Sequence, residues 1–279
     1  MTIKYQRTMT FKIAAPAFAL LLAACGGSQS TSSSNNAGTP GSISISGSTA
    51  LLPLVKQAAV DYQGAHGNVK ISVAGGGSRV GITQVAQRSV DIGDSDIPAQ
   101  NEPSLVDHRI AIVTFGIVVN PQTGVKNLTT AQLRDIFSGR VTNWSQAGGR
   151  AGAITVINRP RSSGTRAVLV SKILGGHEPS ESGLTQDSSG TVAAMVAQTP
   201  GAISYLGLAY VQPGSQTVVS IDGVGPAQAG LKNYPYWSYE HMYTNGQPSA
   251  QVAGFINFVT QDGPLLRRLK FAPLGNGKD

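Results

Sequence analysis

Residues 108–120 read HRIAIVTFGIVVN, and this run decides how the rest of the chain can be arranged. Residues 110–119 are apolar almost throughout, around Gly116. A strand this long exceeds the typical length of about five or six residues, so it can leave one sheet and enter a second. The aromatic-rich residues 234–244 (YPYWSYEHMYT) can form a strand that returns beside it. Two such crossings predict that residues 117–236 form a lobe inserted between two pieces of another.

Short apolar runs alternate with amphipathic stretches on both sides of this long strand. Further strands are predicted at residues 43–46, 69–73, 91–93, 153–158 and 202–205, and helices at 48–63, 79–88, 130–138, 164–174 and 191–198. Alternating strands and helices predict an α/β architecture with largely parallel sheets. One large doubly wound domain fits this alternation as well as two lobes do, so the pattern alone leaves both arrangements open.

Composition excludes several classes of site. Charged residues make up 13% of the chain and 34 of its 279 residues are Gly, which favours binding through backbone and hydroxyl groups over binding through dense charge. One Cys excludes a disulfide framework, a multi-Cys zinc site and an iron–sulfur cluster. The four His are scattered without the spacing of metal ligands. No metal and no cofactor is therefore expected.

The N-terminal residues have the pattern of a secretory signal. Three positive residues precede residues 13–24, an uncharged run too short for a membrane-spanning helix of about 20 residues. The run ends in LAAC at residues 22–25, which resembles a bacterial lipobox. We therefore predict a lipoprotein signal peptide at residues 1–24, lipidation of Cys25 and a flexible Gly/Ser/Asn-rich tether at residues 25–41. An ordinary signal peptide with an incidental Cys is the alternative.

Removal of this signal changes the interpretation of the charge. The formal charge of +7 falls to +4, because residues 1–24 hold three positive and no negative side chains. Nucleic-acid binding then loses most of its compositional support, and none is expected. A lipidated Cys on a tether would anchor the folded part to the extracytoplasmic face of a membrane, in the periplasm or on the outer surface of the cell envelope.

Three Gly- and hydroxyl-rich turns each precede a predicted helix. They lie at residues 47–50 (GSTA), 75–78 (GGGS) and 159–165 (RPRSSGT). Free backbone N–H groups and the helix dipole make such a terminus favourable for an anion. For any one of these turns, helix capping and tight turning are the favoured explanation. Three in one chain, one of them with two Arg residues, make an anion site about as well supported as capping.

The free energy of anion binding shows which donors such a site needs. A helix terminus contributes about 0.3–1 kcal/mol, whereas micromolar binding needs about 8 kcal/mol, so Arg and hydroxyl donors must supply the rest. Residues 91–98 (DIGDSDIP) add an acidic cluster. A carboxylate near an anion site is useful when the ligand itself carries a proton, as phosphate does and sulfate does not. A solvated or Ca²⁺-binding acidic turn is the alternative.

These motifs, in this order, resemble those of the substrate-binding lipoproteins of bacterial ABC phosphate transporters. Residues 128–139 (LTTAQLRDIFSG), 142–144 (TNW) and 200–205 (PGAISY) support the resemblance, which runs from about residue 43 to 275. It implies a type II periplasmic-binding-protein fold: two α/β lobes, a ligand cleft between them and two crossing strands. Lobe I would comprise residues 42–116 and 237–279, and lobe II residues 117–236.

The resemblance also implies which residues bind phosphate. Matched motif by motif, they are Ser48, Thr49, the Ala50 amide, Ser78 and Asp96 from lobe I, and Arg159, Ser163, Gly164 and Thr165 from lobe II. Two positions depart from the family pattern. Ala50 stands where an aromatic residue is common. Arg161 stands where some members have an acidic residue that orients the ligand arginine, which leaves open whether Arg161 touches phosphate or faces solvent.

The implied function is capture of inorganic phosphate and its delivery to the permease and ATPase subunits of an ABC importer, without catalysis. A protein for another oxyanion (sulfate, molybdate or tungstate) is an alternative that the acidic Asp96 disfavours. A phosphate sensor or adhesin on the same fold is a second. A secreted phosphatase or serine hydrolase is disfavoured, because Gly-x-Ser-x-Gly is absent and no His lies near a candidate nucleophile in sequence.

Overall fold

A computed structural model describes residues 41–226 and 233–275. The predicted signal peptide, Cys25 and all but the last residue of the predicted tether lie outside the described residues. Gly41, predicted to end the tether, instead begins the first strand. Its N–H donates to the carbonyl of Asn68 at 3.2 Å, and it pairs with Val69 in the neighbouring strand. The first strand therefore begins two residues earlier than the predicted strand at residues 43–46.

The elements follow the predicted alternation. The strands are β1 Gly41–Gly47, β2 Val69–Gly75, β3 Ile92–Ser95, β4 Leu105–Val119, β5 Asn127–Leu128, β6 Thr155–Asn158, β7 Leu184–Thr185, β8 Ala202–Gly207, β9 Thr217–Ile221, β10 Trp237–Asn245 and β11 Phe271–Ala272. The helices are α1 Leu52–Ala65, α2 Ser78–Ala86, α3 Thr130–Phe137, α4 Gly164–Lys172, α5 Ser189–Gln198, α6 Ala250–Gln261 and α7 Gly263–Arg268. Short 3₁₀ turns lie at Pro121–Thr123, Trp144–Ala147 and Leu208–Tyr210.

The first helix begins later than predicted. It starts at Leu52 rather than at Ser48, because residues 48–51 form a turn around one hydroxyl. The Oγ of Ser48 accepts hydrogen bonds from the backbone N–H groups of Ala50 at 3.0 Å and Leu51 at 3.3 Å. Two backbone N–H groups are therefore bonded to a side-chain hydroxyl before the helix begins.

The long strand β4 changes its partners half-way along. From Leu105 to Thr114 it pairs antiparallel with β10, and from Phe115 to Val119 it pairs antiparallel with β8. The N–H of Phe115 donates to the carbonyl of Tyr236, just before β10 begins, at 3.0 Å. We call the part built on β1, β2, β3, β10 and β11 lobe I, and the part built on β5 to β9 lobe II. Strand β4 runs through both, and the residue limits given above for the lobes stay a prediction.

The strand order places the loops that carry the motifs. The main path is β2-β1-β3-β10-β4-β8-β6-β7, with β11 and β9 also paired to β4. Strands β1, β2 and β3 are mutually parallel, and so are β6, β7 and β8. Ligands of open α/β sheets bind outside the carboxyl ends of parallel strands. The predicted motifs follow β1, β2, β3 and β6 at those ends.

Helices of both lobes bury apolar side chains in the core of the protein. Helix α1 buries Leu54, Val55 and Ala58 in a large core that contains residues of both lobes, and α5 buries Val192 and Val196 in a smaller core of lobe II. Each fully buried Leu or Val side chain contributes about 1.5–3 kcal/mol through the hydrophobic effect. Within residues 41–226 and 233–275, no helix is both long and apolar enough to cross a membrane.

Candidate anion-binding site

The turn after β1 meets lobe II at Thr49. The guanidinium of Arg159, which follows β6, donates from Nη2 to Thr49 Oγ1 at 2.9 Å. The same hydroxyl lies 3.1 Å from the Oγ of Ser189, at the start of α5, and Tyr210 donates to the Thr49 carbonyl at 2.7 Å. Arg159 is only 1% exposed. A buried cation therefore lies among hydroxyl groups from both lobes.

The second cluster surrounds Asp96. Its carboxylate accepts a hydrogen bond from Ser48 on one oxygen and from Thr165 on the other, the latter at 2.8 Å. Its backbone N–H donates to Ser78 Oγ at 2.9 Å, and its carbonyl accepts from Ser238 at 2.7 Å. Asp96 is 1% exposed. The turns after β1, β2 and β3 and the start of α4 thus meet at Asp96.

Backbone contacts bring the two lobes close together beside these clusters. The N–H of Arg79 donates to the carbonyl of Ser162 at 3.1 Å. A Cβ atom at Gly164 would lie 2.1 Å from Ser78 Oγ and 2.9 Å from the Cβ of Asp96. Only a residue without a side chain fits between α4 and these lobe I residues. This close approach is the reason for glycine at the third predicted turn.

Burial shifts the pKa values of the two charged side chains in the site. Burial lowers the pKa of Arg159, and the neighbouring carboxylate of Asp96 opposes this. Burial likewise raises the pKa of Asp96, whereas the hydrogen bonds from Ser48 and Thr165 and the charge of Arg159 lower it. An Arg keeps its charge even when its pKa falls, so the site holds a dehydrated cation and a carboxylate stabilised by hydroxyl donors.

Arg161 points away from both clusters. Its side chain is 69% exposed and pairs with Glu181 at 3.1 Å and with Glu178 at 4.0 Å. The buried Arg166 of α4 shares the same two acids and also donates to the carbonyl of Arg159 at 2.7 Å. The structure thereby decides what the sequence left open: Arg161 faces solvent and an acidic pair, while Arg166 supports the backbone of Arg159.

The remaining predicted residues occupy helix starts. Ser163 is the N-cap of α4, and its Oγ accepts from the N–H of Arg166 at 3.2 Å. Ser78 and Gly164 are the first residues of α2 and α4. The Ala50 amide donates to Ser48 Oγ. The nine predicted residues therefore lie in the turns and helix starts that follow β1, β2, β3 and β6, and the side chain of Ser163 caps α4.

Sequence reasoning missed the segment before α5. Arg159 donates from Nη1 to Ser189 Oγ at 3.3 Å and from Nη2 to the carbonyl of Asp187 at 3.1 Å. The sequence does contain a signal for this segment: residues 187–191 (DSSGT) are a fourth hydroxyl- and Gly-rich stretch, and they span the start of α5, where Ser188 is the N-cap. In some family members an acid at the position of Arg161 orients the ligand arginine. In this chain, the segment at the start of α5 holds the Arg159 guanidinium.

Comparison with known proteins identifies the family of this chain. The profile of the PBP superfamily domain matches residues 32–262. The phosphate-binding protein PstS of Bacillus subtilis (strain 168) is 40% identical over 259 residues, covering 88% of this chain and 86% of the relative. The chain belongs to the PstS family. The expectations of this family and of a type II periplasmic-binding-protein fold are confirmed.

Solved structures support the same family. A structure from Clostridium perfringens, described as a phosphate ABC transporter substrate-binding protein with bound phosphate, has a TM-score of 0.79 at 26% identity and covers 84% of this chain and 99% of its own. An ABC-type phosphate transport receptor from Vibrio cholerae has a TM-score of 0.66 at 26% identity, covering 82% and 99%. PstS proteins are substrate-binding proteins, so the expectation that this chain is not an enzyme is confirmed by its family. In the part of the chain that the structure describes, no group of three or more His, Cys, Asp or Glu residues is arranged to hold a metal ion.

Proposed function

We propose that this protein captures inorganic phosphate between its lobes and delivers it to the permease and ATPase subunits of an ABC importer. The observation that carries the proposal is the presence of a buried cation, Arg159, and a buried acceptor, Asp96, in one boundary lined by hydroxyl groups. The names of the relatives, which include phosphate-binding and ABC-transport proteins, support the same ligand and partner.

Arg159 and Asp96 match the two kinds of oxygen in a protonated tetrahedral anion. The unprotonated oxygens accept hydrogen bonds, and the protonated oxygen donates one. The Arg159 guanidinium can donate to phosphate oxygens, and charge-assisted bonds of this kind contribute about 1.5–3 kcal/mol each. Asp96 can accept the hydrogen bond that the proton of phosphate offers. Hydroxyls rotate, so Ser48 and Thr165 can turn from Asp96 to a phosphate oxygen while the phosphate proton replaces one of their bonds.

Other oxyanions and other roles are alternatives. The oxyanions differ from phosphate in whether they carry a proton, and the roles differ in their protein partner. Sulfate, molybdate and tungstate carry no proton near neutral pH and would place an oxygen lone pair against the Asp96 carboxylate. A phosphate sensor or adhesin on the same fold would use the same cleft and differ only in its protein partner. Phosphate uptake is the reading that uses both buried charges and agrees with the relatives.

Titration with four anions tests the ligand. We expect isothermal titration of the purified protein to show binding of phosphate and arsenate, and weak or absent binding of sulfate and molybdate. Small-angle scattering should show a smaller radius with saturating phosphate than without it, because the ligand bridges both lobes. Trp237 should report this change, since its ring centroid lies 5.7 Å from the Nζ of Lys172 in α4. Tighter binding of sulfate than of phosphate would overturn the proposal.

The lipid anchor is a further part of the proposal. It rests on the sequence around Cys25, which lies outside the described residues, and it would hold the protein at the extracytoplasmic face of a membrane. Labelling of expressing bacteria with a fatty acid should tag the wild-type protein and should not tag Cys25→Ser. Equal labelling of both proteins would place any lipid on another residue, and absence of label on both would favour an ordinary signal peptide.

Gly164→Ala should impair the approach of the two lobes. The new methyl group would overlap Ser78 Oγ and would lie 2.8 Å from the Cβ of Ser78 and 2.9 Å from the Cβ of Asp96. The Ser78 hydroxyl can rotate away, but neither Cβ atom can move without shifting the lobe I backbone. Overpacking of this kind costs about 1–3 kcal/mol, and here the cost falls on the form that binds phosphate. We expect a matching loss in phosphate affinity by calorimetry.

Gly152→Ala is the matched control for this prediction. A Cβ atom at Gly152 meets nothing within 4 Å, so phosphate affinity should stay within about threefold of wild type. Equal affinities of the Gly164 and Gly152 variants would show that the close approach at Gly164 is not needed for binding.

A further inference from the structure

Glu240 is a buried acid beside the candidate site that neither the sequence motifs nor the proposed phosphate contacts use. It lies in β10, which pairs antiparallel with β3 so that His241 opposes Ser95. Two residues earlier on the same strand, Ser238 donates to the carbonyl of Asp96. Side chains at positions i and i+2 of a strand share a face, so Glu240 lies on the face that Ser238 presents to Asp96. Against the effect of burial, Glu240 lowers the pKa of Asp96, and burial together with Asp96 raises the pKa of Glu240.

No donor in the described residues serves this carboxyl group. Neither Oε1 nor Oε2 of Glu240 accepts a hydrogen bond from any side chain or backbone group in residues 41–226 and 233–275, and Glu240 is 0% exposed. The same is true of both carboxyl oxygens of Asp94, which is also 0% exposed. An ionised carboxylate that is buried without donors costs several kcal/mol, so such groups are retained in the neutral form.

The net charge around Asp96 also favours a neutral form of these carboxyl groups. Asp96 interacts with two further buried carboxyl groups, those of Asp94 and Glu240, and with one buried cation, Arg159. If all three were ionised, the site would hold a net charge of −2 before any anion entered. Burial, with the nearby charge of Asp96, raises the pKa of Asp94 and of Glu240 well above the usual range. His241 offers no compensation here, because its Nδ1 faces Asp107 at 2.7 Å.

The hydrogen bonds identify which of the three is charged. Asp96 accepts from Ser48 and Thr165 and lies near Arg159, all of which favour its ionised form. A hydrogen bond between two carboxyl groups requires a proton on one of them. That proton belongs on Glu240, because Asp96 already has donors on both of its oxygens.

We propose that Glu240 is protonated in the native protein and donates a hydrogen bond to Asp96, which makes it the positioning residue that keeps Asp96 an ionised acceptor. The inference rests on the proposed phosphate-binding function. An ionised Glu240 would drive a proton onto Asp96, and Asp96 would then become a donor that accommodates sulfate as readily as phosphate. Glu240 thereby sets the specificity of the site without touching the ligand.

Gln and Met have side chains of about the same length as Glu. Substituting each of them at Glu240 therefore distinguishes the effect of its hydrogen bond from the effect of its packing. Glu240→Gln keeps a donor and stays neutral, so its phosphate-to-sulfate affinity ratio should stay within about threefold of wild type. Glu240→Met fills the same space but donates nothing, and the ratio should fall about tenfold or more, the effect expected for one hydrogen bond to a charged group. Circular dichroism and thermal unfolding establish that both variants are folded. Equal ratios in the Gln and Met variants would overturn the proposal.

A second measurement reads the proton directly and needs no ligand. The infrared difference spectrum between wild type and Glu240→Gln at pH 7 should show the carbonyl stretching band of a protonated carboxyl group. Its absence would also overturn the proposal. If the wild-type protein bound no phosphate, the proposed function would fail, whereas this band would still decide whether Glu240 carries the proton.

Discussion

Arg159→Ala should weaken phosphate binding by about 2–5 kcal/mol, which corresponds to a rise in Kd of about 30- to 4,000-fold. The guanidinium is 1% exposed and reaches hydroxyls of both lobes, Thr49 at 2.9 Å and Ser189 at 3.3 Å. Its Nε has no hydrogen-bond partner among the described residues, so a donor remains for a ligand. Removing this side chain takes away the buried cation and a bridge between the lobes. Calorimetric titration with phosphate measures the loss.

Arg161→Ala is the control for charge alone. It removes the same formal charge two residues away, but this side chain is 69% exposed and pairs with exposed acids. Exposed ion pairs contribute about 0–1 kcal/mol, so phosphate affinity should change by less than about fivefold. Arg159→Lys should be intermediate, because it keeps the charge and loses the planar fork of donors. Small and equal losses in Arg159→Ala and Arg161→Ala would place the cationic anchor elsewhere.

Asp96→Asn should raise sulfate binding relative to phosphate binding. The wild-type carboxylate accepts a hydrogen bond from the proton of phosphate, whereas it faces a sulfate oxygen lone pair to lone pair. Repulsion together with an unmade hydrogen bond in a buried site costs several kcal/mol. The Asn variant removes the charge and supplies an amide donor, so the sulfate-to-phosphate affinity ratio should rise by about tenfold or more. Titration of wild type and variant with both anions gives this ratio.

The pH dependence follows from the same carboxylate. Burial raises the folded-state pKa of Asp96, so Asp96 gains a proton as the pH falls through a value above its ordinary range. A protonated Asp96 can donate to sulfate, and discrimination against sulfate should therefore decline towards low pH in wild type. Asp96→Asn should show no such decline over the same range. A wild-type ratio that is independent of pH would contradict this assignment.

Asp94→Asn is the matched control for Asp96→Asn. Asp94 is as fully buried and only two residues away, but its carboxyl oxygens accept no hydrogen bond from the described residues. Its replacement removes an acid from the same region without removing the acceptor, and the sulfate-to-phosphate ratio should change little. If both variants changed the ratio equally, the selector would be the summed charge of the region and not Asp96.

Local pattern predicted much of this protein because strands and helices express their periodicity over a few residues. The run at residues 108–120 is long because β4 pairs with strands of both lobes, and its apolar character can be recognised without knowing these partners. Turns after β1, β2 and β6 could be predicted from Gly and hydroxyl residues, whose conformational and hydrogen-bonding preferences are local. The ordered set of these turns is enough to indicate the family.

Only the tertiary structure decided which side chains meet. Thr49 and Ser189 are 140 residues apart in sequence, Arg159 and Thr49 are 110 apart, and Thr165 and Asp96 are 69 apart. Arg159 and Arg161 look alike in sequence, yet one is buried and the other pairs with acids at the surface. Glu240 lies in an aromatic strand with no polar motif around it. Its place beside Asp96 follows from the register of β10 against β3, because the pairing of strands distant in sequence sets which side chains become neighbours.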